Sequence, residues 1–485
     1  MKNIKILTLI ITTFILSSIG IFLTSCNNNG ISFQSFFSQS SGGNNQPSNP
    51  YWARLIDTNN ATDWYNGAIF DGNNYYIAGW QRDSTRKLAL ISLNLDGNLN
   101  LAKYWTVNGY TNVGLLDIFI FDNDNLLVSG WLDDNGFVGN YNKNTNTLVI
   151  KKVFNIPDLS SICDNNFIYL ASADNYNSED GIGGYVLKLN KNDFSIVSTK
   201  QVVQSGNDDF GFENITLQAK INPDYIALHD YRTHRVVVLN SSDLSLVKAY
   251  DTSVYQNPLI DENGNLYLFD NVNNNLVVSK IDLATNNVIS KQYGTVSNTY
   301  SRSSSAFIFN STGQTTHLVV GYTIDNSINN QGQDVEFLKL DKNLNVIWSV
   351  IVGTTGDDQI VLRTMFGMPD GGLFAARLIN WGAYGYAVRL GPNGELPTSC
   401  LFHHSSRNTQ ATNIPYNPTD ITANVSNDVT ITELPIPQIQ EVQVQTDVLD
   451  LCVTQIEQAD NIIPNNNTHN NVDDNLNHSG SGARR

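Results

Sequence analysis

Several groups in this 485-residue chain have residue types and spacings that chemistry could use. His229 and His234 share one stretch, HDYRTHR, with Arg232 between them, and two imidazoles near an aspartate are the beginning of a metal site. Such a site wants three or four ligands, so the pair by itself reads more readily as a surface hairpin. Asp357-Asp358 and Asp208-Asp209 are adjacent carboxylates, which cleave glycosidic bonds only when two acids meet at a set separation. Cys400 and His403, in CLFHH, have a zinc-like spacing but lack the other half of a closed site. DNDN at 122–125 and DENGN at 261–265 hold calcium-type ligands without the closing glutamate, and both fall where a tight turn is required. There is no GxSxG, HExxH, GK[ST] or CxxCH, and GIGG at 181–184 reads as a glycine turn. These residues predict no catalytic group, no metal and no cofactor.

Aromatic residues offer a different chemistry. Trp64, Trp80, Tyr110, Trp131, Tyr322 and Trp381 flank polar loops, and three follow a glycine or lie close to one: Gly79-Trp80, Gly130-Trp131 and Gly321-Tyr322. Aromatics presented together can stack on sugar rings or peptide side chains. The competing role is to wedge neighbouring blades together as ordinary core.

A repeat of about fifty residues must position all of them. LALISLNLDGN, FVGNYNKNTN, YVLKLNKND, RVVVLNSSD, VVSKIDLATN, EFLKLDKNLN and YAVRLGPNGE each end an apolar strand on a polar turn. The last apolar residues before those turns are Leu93, Tyr141, Leu189, Leu239, Ile281, Leu340 and Leu390, spaced 48, 48, 50, 42, 59 and 50 apart. Two short strands precede each and one follows, joined by turns rich in Asp, Asn and Gly, so each unit is a four-stranded antiparallel sheet. A sheet apolar on both faces cannot bury them alone, and stacking units around an axis does it with few exposed edges. The reading is an all-β, seven-bladed β-propeller over 51–400. The seventh unit runs out at LGPNGELPTSC without a fourth strand, while YWARLID at 51–57 is a spare one, so the N-terminal strand is expected to close the ring. Residues 401–460 form a β-rich C-terminal extension, either a cover on the ring or a small appended module, and 461–485 a low-complexity, disordered tail.

Units such as DVEFLKLDKNLNVIWSVIVGTTGDDQ and MPDGGLFAARL resemble the repeats of exported bacterial propeller proteins. That resemblance implies the fold and an exported setting, and no activity. Ahead of the repeats, Lys2, Lys5 and an apolar run from Ile6 to Leu23 form an export signal over 1–25, and Leu23-Thr24-Ser25-Cys26 resembles a bacterial lipobox. The resemblance implies cleavage before Cys26 and acylation of its thiol. Residues 26–50, rich in Asn, Ser and Gly, would then be a flexible tether from a membrane that the chain does not span. The acidic residue that retains many such lipoproteins at an inner membrane is absent after Cys26, which favours an outer membrane where two exist. In an oxidising compartment Cys400 and Cys452 are the simplest disulfide pair, leaving Cys163 as a buried thiol.

The chain has 28 basic and 45 acidic residues, and loss of the signal removes two of the lysines. That balance excludes nucleic acid as the main partner. The functional expectation is a membrane-anchored extracytoplasmic module that binds or scaffolds protein or glycan without chemistry of its own. Two alternatives stand beside it: an envelope glycan hydrolase or lyase using the acidic loops, and a component of outer-membrane assembly machinery.

Overall fold

The computed structural model describes residues 51–57, 62–172, 184–204, 212–219, 223–230, 234–253, 256–295, 303–325, 333–353, 358–359, 364–380, 384–397, 403–426 and 428–452. Among them are seven antiparallel sheets and no helix. Blades one to six occupy 62–107, 113–154, 159–204, 212–251, 259–295 and 303–353, and blade seven is built on 358–390. Each inner strand packs against the inner strand of the next blade, and blade seven returns to the Thr62–Phe70 strand of blade one. The ring is thus a seven-bladed propeller.

Closure follows the expected route. Trp52–Asp57 pairs antiparallel with Tyr384–Leu390, from Trp52 opposite Arg389 to Ile56 opposite Gly385. Third strands such as RKLALISL are buried along nearly their whole length, because a neighbouring blade covers each face. That explains their unbroken apolar runs where a one-sided sheet would alternate.

Turns on one face of the ring repeat a single device. Asp122 Oδ1 accepts the amides of Asp124 and Asn125 at 2.8 Å, and Asp261 Oδ1 accepts those of Asn263 and Asn265 at 3.0 Å. The carboxylates of DNDN and DENGN therefore cap their own turns. The turn that follows the third strand also has a left-handed residue in every blade: Gly97, Asn146, Phe194, Leu244, Asn286, Leu344 and Gly394. Phe194, Leu244 and Leu344 tolerate that conformation, which costs about 1–2 kcal/mol, while their side chains are buried in the core.

The C-terminal extension is the main departure from the expected blade. It is a belt that runs round the outside of the ring and adds a fifth strand to every sheet. His403–Arg407 pairs with blade six, Thr412–Asn413 with five, Thr419–Asp420 with four and Ala423–Val425 with three. Glu433–Leu434 then joins blade two, Ile439–Val442 blade one, and Asp447–Asp450 the closing strand of blade seven. The four strands that the repeat gives each blade are thus joined by a fifth from the belt; in blade seven the inner strand is in two pieces, Asp358–Gln359 and Met365–Gly367, so that sheet has six. An outer strand left bare would present unpaired amides and carbonyls to any other chain. The belt occupies part of all seven such edges.

The belt ends at Leu451, whose amide donates to Ala53 O at 3.0 Å. Cys163 and Cys452 are both disulfide-bonded and no described cysteine is a free thiol, which corrects the expectation of an unpaired Cys163. Cys400, the expected partner of Cys452, lies outside the described residues, as do Cys26, its tether and the tail.

Candidate functional site

The loops joining second to third strands, and one blade to the next, open on the face opposite the capped turns. On this loop face, tryptophans from two blades converge. Trp64 and Trp80 are cross-strand partners in blade one, with rings stacked at 5.9 Å and 14°. Trp131 of blade two joins them around Leu116. Gly114, opposite Trp131, makes room for that indole: an added Cβ would stand 2.2 Å from the ring.

Burial divides the three. Trp80 and Trp131 are only 4% and 5% exposed, so they wedge blades one and two together. Trp64 is partly exposed at the edge of the stack. Polar groups fix the corner. The Arg86 guanidinium lies 4.3 Å from the centre of the Trp80 ring and donates to Asn112 Oδ1. The same oxygen accepts Trp131 Nε1–H at 3.3 Å, and Asp133 Oδ1 holds the Asn112 amide at 2.7 Å. Lys87 bridges Gln81 Oε1 at 3.0 Å and Asp83 at 2.6 Å beside it. The result is a rigid aromatic edge flanked by a cation and an amide, suited to a ligand with an apolar ring face and hydroxyls. Arg86 and Asn112 were not flagged by sequence; Arg86 opens an apolar strand and Asn112 precedes one, neither a distinctive signal.

The other expected site residues do not gather there. His229 is fully buried within the strand Tyr225–Asp230, opposite Asn214 and Val236, and is not on an exposed hairpin tip. His234 has a left-handed backbone, and burial pulls its imidazole below the ordinary histidine range. No group of three or more His, Cys, Asp or Glu suited to a metal occurs among the described residues. Tyr322 is 1% exposed, and burial beside Glu336 pushes its phenol well up. Tyr110 is partly buried against the core of blades one and two. Asp358 pairs through its backbone with Asn380. Arg232, Trp381, Asp357, Asp208 and Asp209 lie outside the described residues.

One buried acid on the third strand of blade six, Asp334, yields a pH prediction. Burial pushes its carboxyl up to about 6. An acid whose folded pKa exceeds its unfolded value, about 3.9, binds its proton more tightly when folded. The cost of ionising it is absent below pH ~4, grows towards pH ~6 and is complete above that. Asp334→Asn is expected to raise stability at pH 8 by on the order of 2 kcal/mol and to change little at pH 4. Denaturant midpoints at the two pH values check this; equal effects at both would refute it.

No family model matches the sequence, and no curated protein matches it. Solved structures resemble it at low identity. Kuenenia stuttgartiensis hydrazine synthase is 12% identical over 61% of this chain and 94% of that one, with a TM-score of 0.38. The Dos1 propeller is 12% identical over 69% and 80%, at 0.41. The Myceliophteria thermophila Cps50 (Swd1) β-propeller domain is 9% identical over 70% and 100%, at 0.35. Likeness at this level carries no argument about activity.

Proposed function

We propose that this chain is an exported, lipid-anchored propeller that binds a saccharide-type ligand on its loop face and has no chemistry of its own. The observation that carries the reading is the Trp64 edge, a partly exposed indole held on a buried one and flanked by Arg86 and Asn112. The belt supports it indirectly, because a rim whose outer strands are partly paired in every blade leaves the faces as the open surfaces. An acidic sequence with little ionic surface fits a neutral, hydroxyl-rich ligand better than a polyanion.

Loss of one stacking ring is worth about 1.4 kcal/mol, or tenfold in affinity. Trp64→Ala is therefore expected to weaken binding of envelope oligosaccharides about tenfold in a protein that still folds, with a melting temperature lowered only modestly by the lost stack on Trp80. Calorimetric titration of a panel of such glycans tests it, and a Trp64→Ala protein that binds as tightly as the parent would sink the reading.

The anchor is proposed on Leu23-Thr24-Ser25-Cys26 and is tested separately. Labelled palmitate should enter the protein and be lost in Cys26→Ser. Acylation takes Cys26 out of disulfide chemistry and leaves three cysteines, so the lipidated chain cannot keep disulfides at both Cys163, in blade three, and Cys452, beside blade seven. A monomeric lipidated chain should then show one alkylatable thiol after denaturation; none would argue against the anchor.

A further inference from the structure

We propose that the belt is a register lock, and that Glu336 and Arg407 determine the blade on which it starts. The belt meets seven outer strands of nearly the same shape, so slipping by one blade is the error to be avoided. Ion pairs mark the contact in five blades: Lys103–Glu441 at 2.5 Å, Lys152–Glu433 at 2.5 Å, Lys200–Asp428 at 3.0 Å, Lys248–Asp420 at 3.1 Å and Arg54–Asp450 at 2.6 Å. In all five the ring supplies the cation and the belt the carboxylate. Pairs of one polarity cannot tell a blade from its neighbour, because a slipped belt still meets cations.

The pair on blade six has the opposite sense. There the belt supplies Arg407 and the ring supplies Glu336, whose side chain is 0% exposed. Thr409, also from the belt, donates to the second carboxylate oxygen at 2.5 Å. Glu336 stands four residues before Leu340, the last apolar residue of its third strand. The matching positions in blades one to five and seven are Ala89, Phe137, Tyr185, Arg235, Val277 and Tyr386, so no other blade has an acid there. Arg407 lies opposite Ser349, which pairs with Leu338 two residues before Leu340; the residue so placed in blade five is Ser290, opposite Ser279. A belt slipped onto blade five would place Arg407 opposite Ser290, with Val277 where the carboxylate should be, and strip Glu336 of its cation. Exposed pairs add little stability, but a buried carboxylate bared of its cation discriminates strongly. Fixing register is also the best-attested use of a buried ion pair.

The test is hydrogen exchange on the full chain. In Arg407→Glu, peptides from 403–450 are expected to lose protection at least tenfold on every blade, while third strands of the ring keep theirs. Lys200→Glu, which alters one same-polarity pair, should loosen only residues near 423–428. The proposal is overturned if Arg407→Glu leaves the belt protected, if Lys200→Glu frees the whole belt, or if ring strands exchange along with it. Should Arg407→Glu fail to fold, Arg407→Gln is read by the same criteria.

Discussion

Deleting residues 51–57 is expected to abolish the folded ring, whereas deleting 1–50 should leave its stability unchanged. The segment is the fourth strand of blade seven, and both its edges are paired, with Tyr384–Leu390 on one side and Asp447–Asp450 on the other. Trp52, Ala53, Leu55 and Ile56 are all at most 2% exposed. Burying three large apolar side chains contributes about 1.5–3 kcal/mol each. The loss is on the order of 6 kcal/mol, comparable with the 5–15 kcal/mol by which whole domains are stable. Polar contacts add to it: Trp52 Nε1 donates to Leu95 O at 3.0 Å, and Arg54 reaches Asp96 O at 2.7 Å, both in blade one. The strand therefore joins the last blade to the first as well as completing the last. Soluble yield and the thermal transition of the two deletions decide the matter. A chain lacking 51–57 that melts like the parent would show the ring to be closed by something else.

That strand was legible because a period makes an omission visible: six units had a fourth strand, the seventh had none, and YWARLID was spare. The blades themselves were legible for a related reason, since each must present the same apolar third strand and the same Asp- or Asn-capped turn. The belt was not. Its strands are two to five residues long, too short to show alternation, and their partner edges are spread over the whole ring. Prolines 415, 418, 435 and 437 interrupt pieces that suited either a cover on the ring or a small module, and they fall where the belt crosses between blades. At the site, the Gly-Trp pairs were legible as aromatics at blade contacts, with ligand stacking and core wedging both open, and Trp80 and Trp131 prove to be buried. A single sequence does not distinguish an indole wedged between sheets from one offered to a ligand. Glu336 showed no signal at all, because its meaning lies in what six other blades lack at the same position.

Gly130→Val is expected to destabilise the ring by about 3 kcal/mol or more and to dismantle the tryptophan corner. Gly130 lies within a strand and precedes Trp131, and an ideal Cβ on it would stand 1.9 Å from Gly114 O, a backbone atom of the paired inner strand. Neither strand can yield without parting from the blade on its other face, since both are buried in the ring. Overpacking a core typically costs about 1–3 kcal/mol, and a clash with backbone belongs at the upper end. Gly79 repeats the geometry in blade one, 1.9 Å from Trp64 O, so Gly79→Val should behave alike. The instructive control is Gly109, which has a left-handed backbone at φ 84° and nothing within 4 Å of its added Cβ. Gly109→Ala meets only conformational strain, about 1–2 kcal/mol. Denaturant midpoints and tryptophan emission should separate the two causes: Gly130→Val lowers the midpoint and shifts emission to the red as Trp131 meets water, whereas Gly109→Ala changes stability alone. Unshifted emission in Gly130→Val would mean that the corner does not depend on the close approach of these two strands.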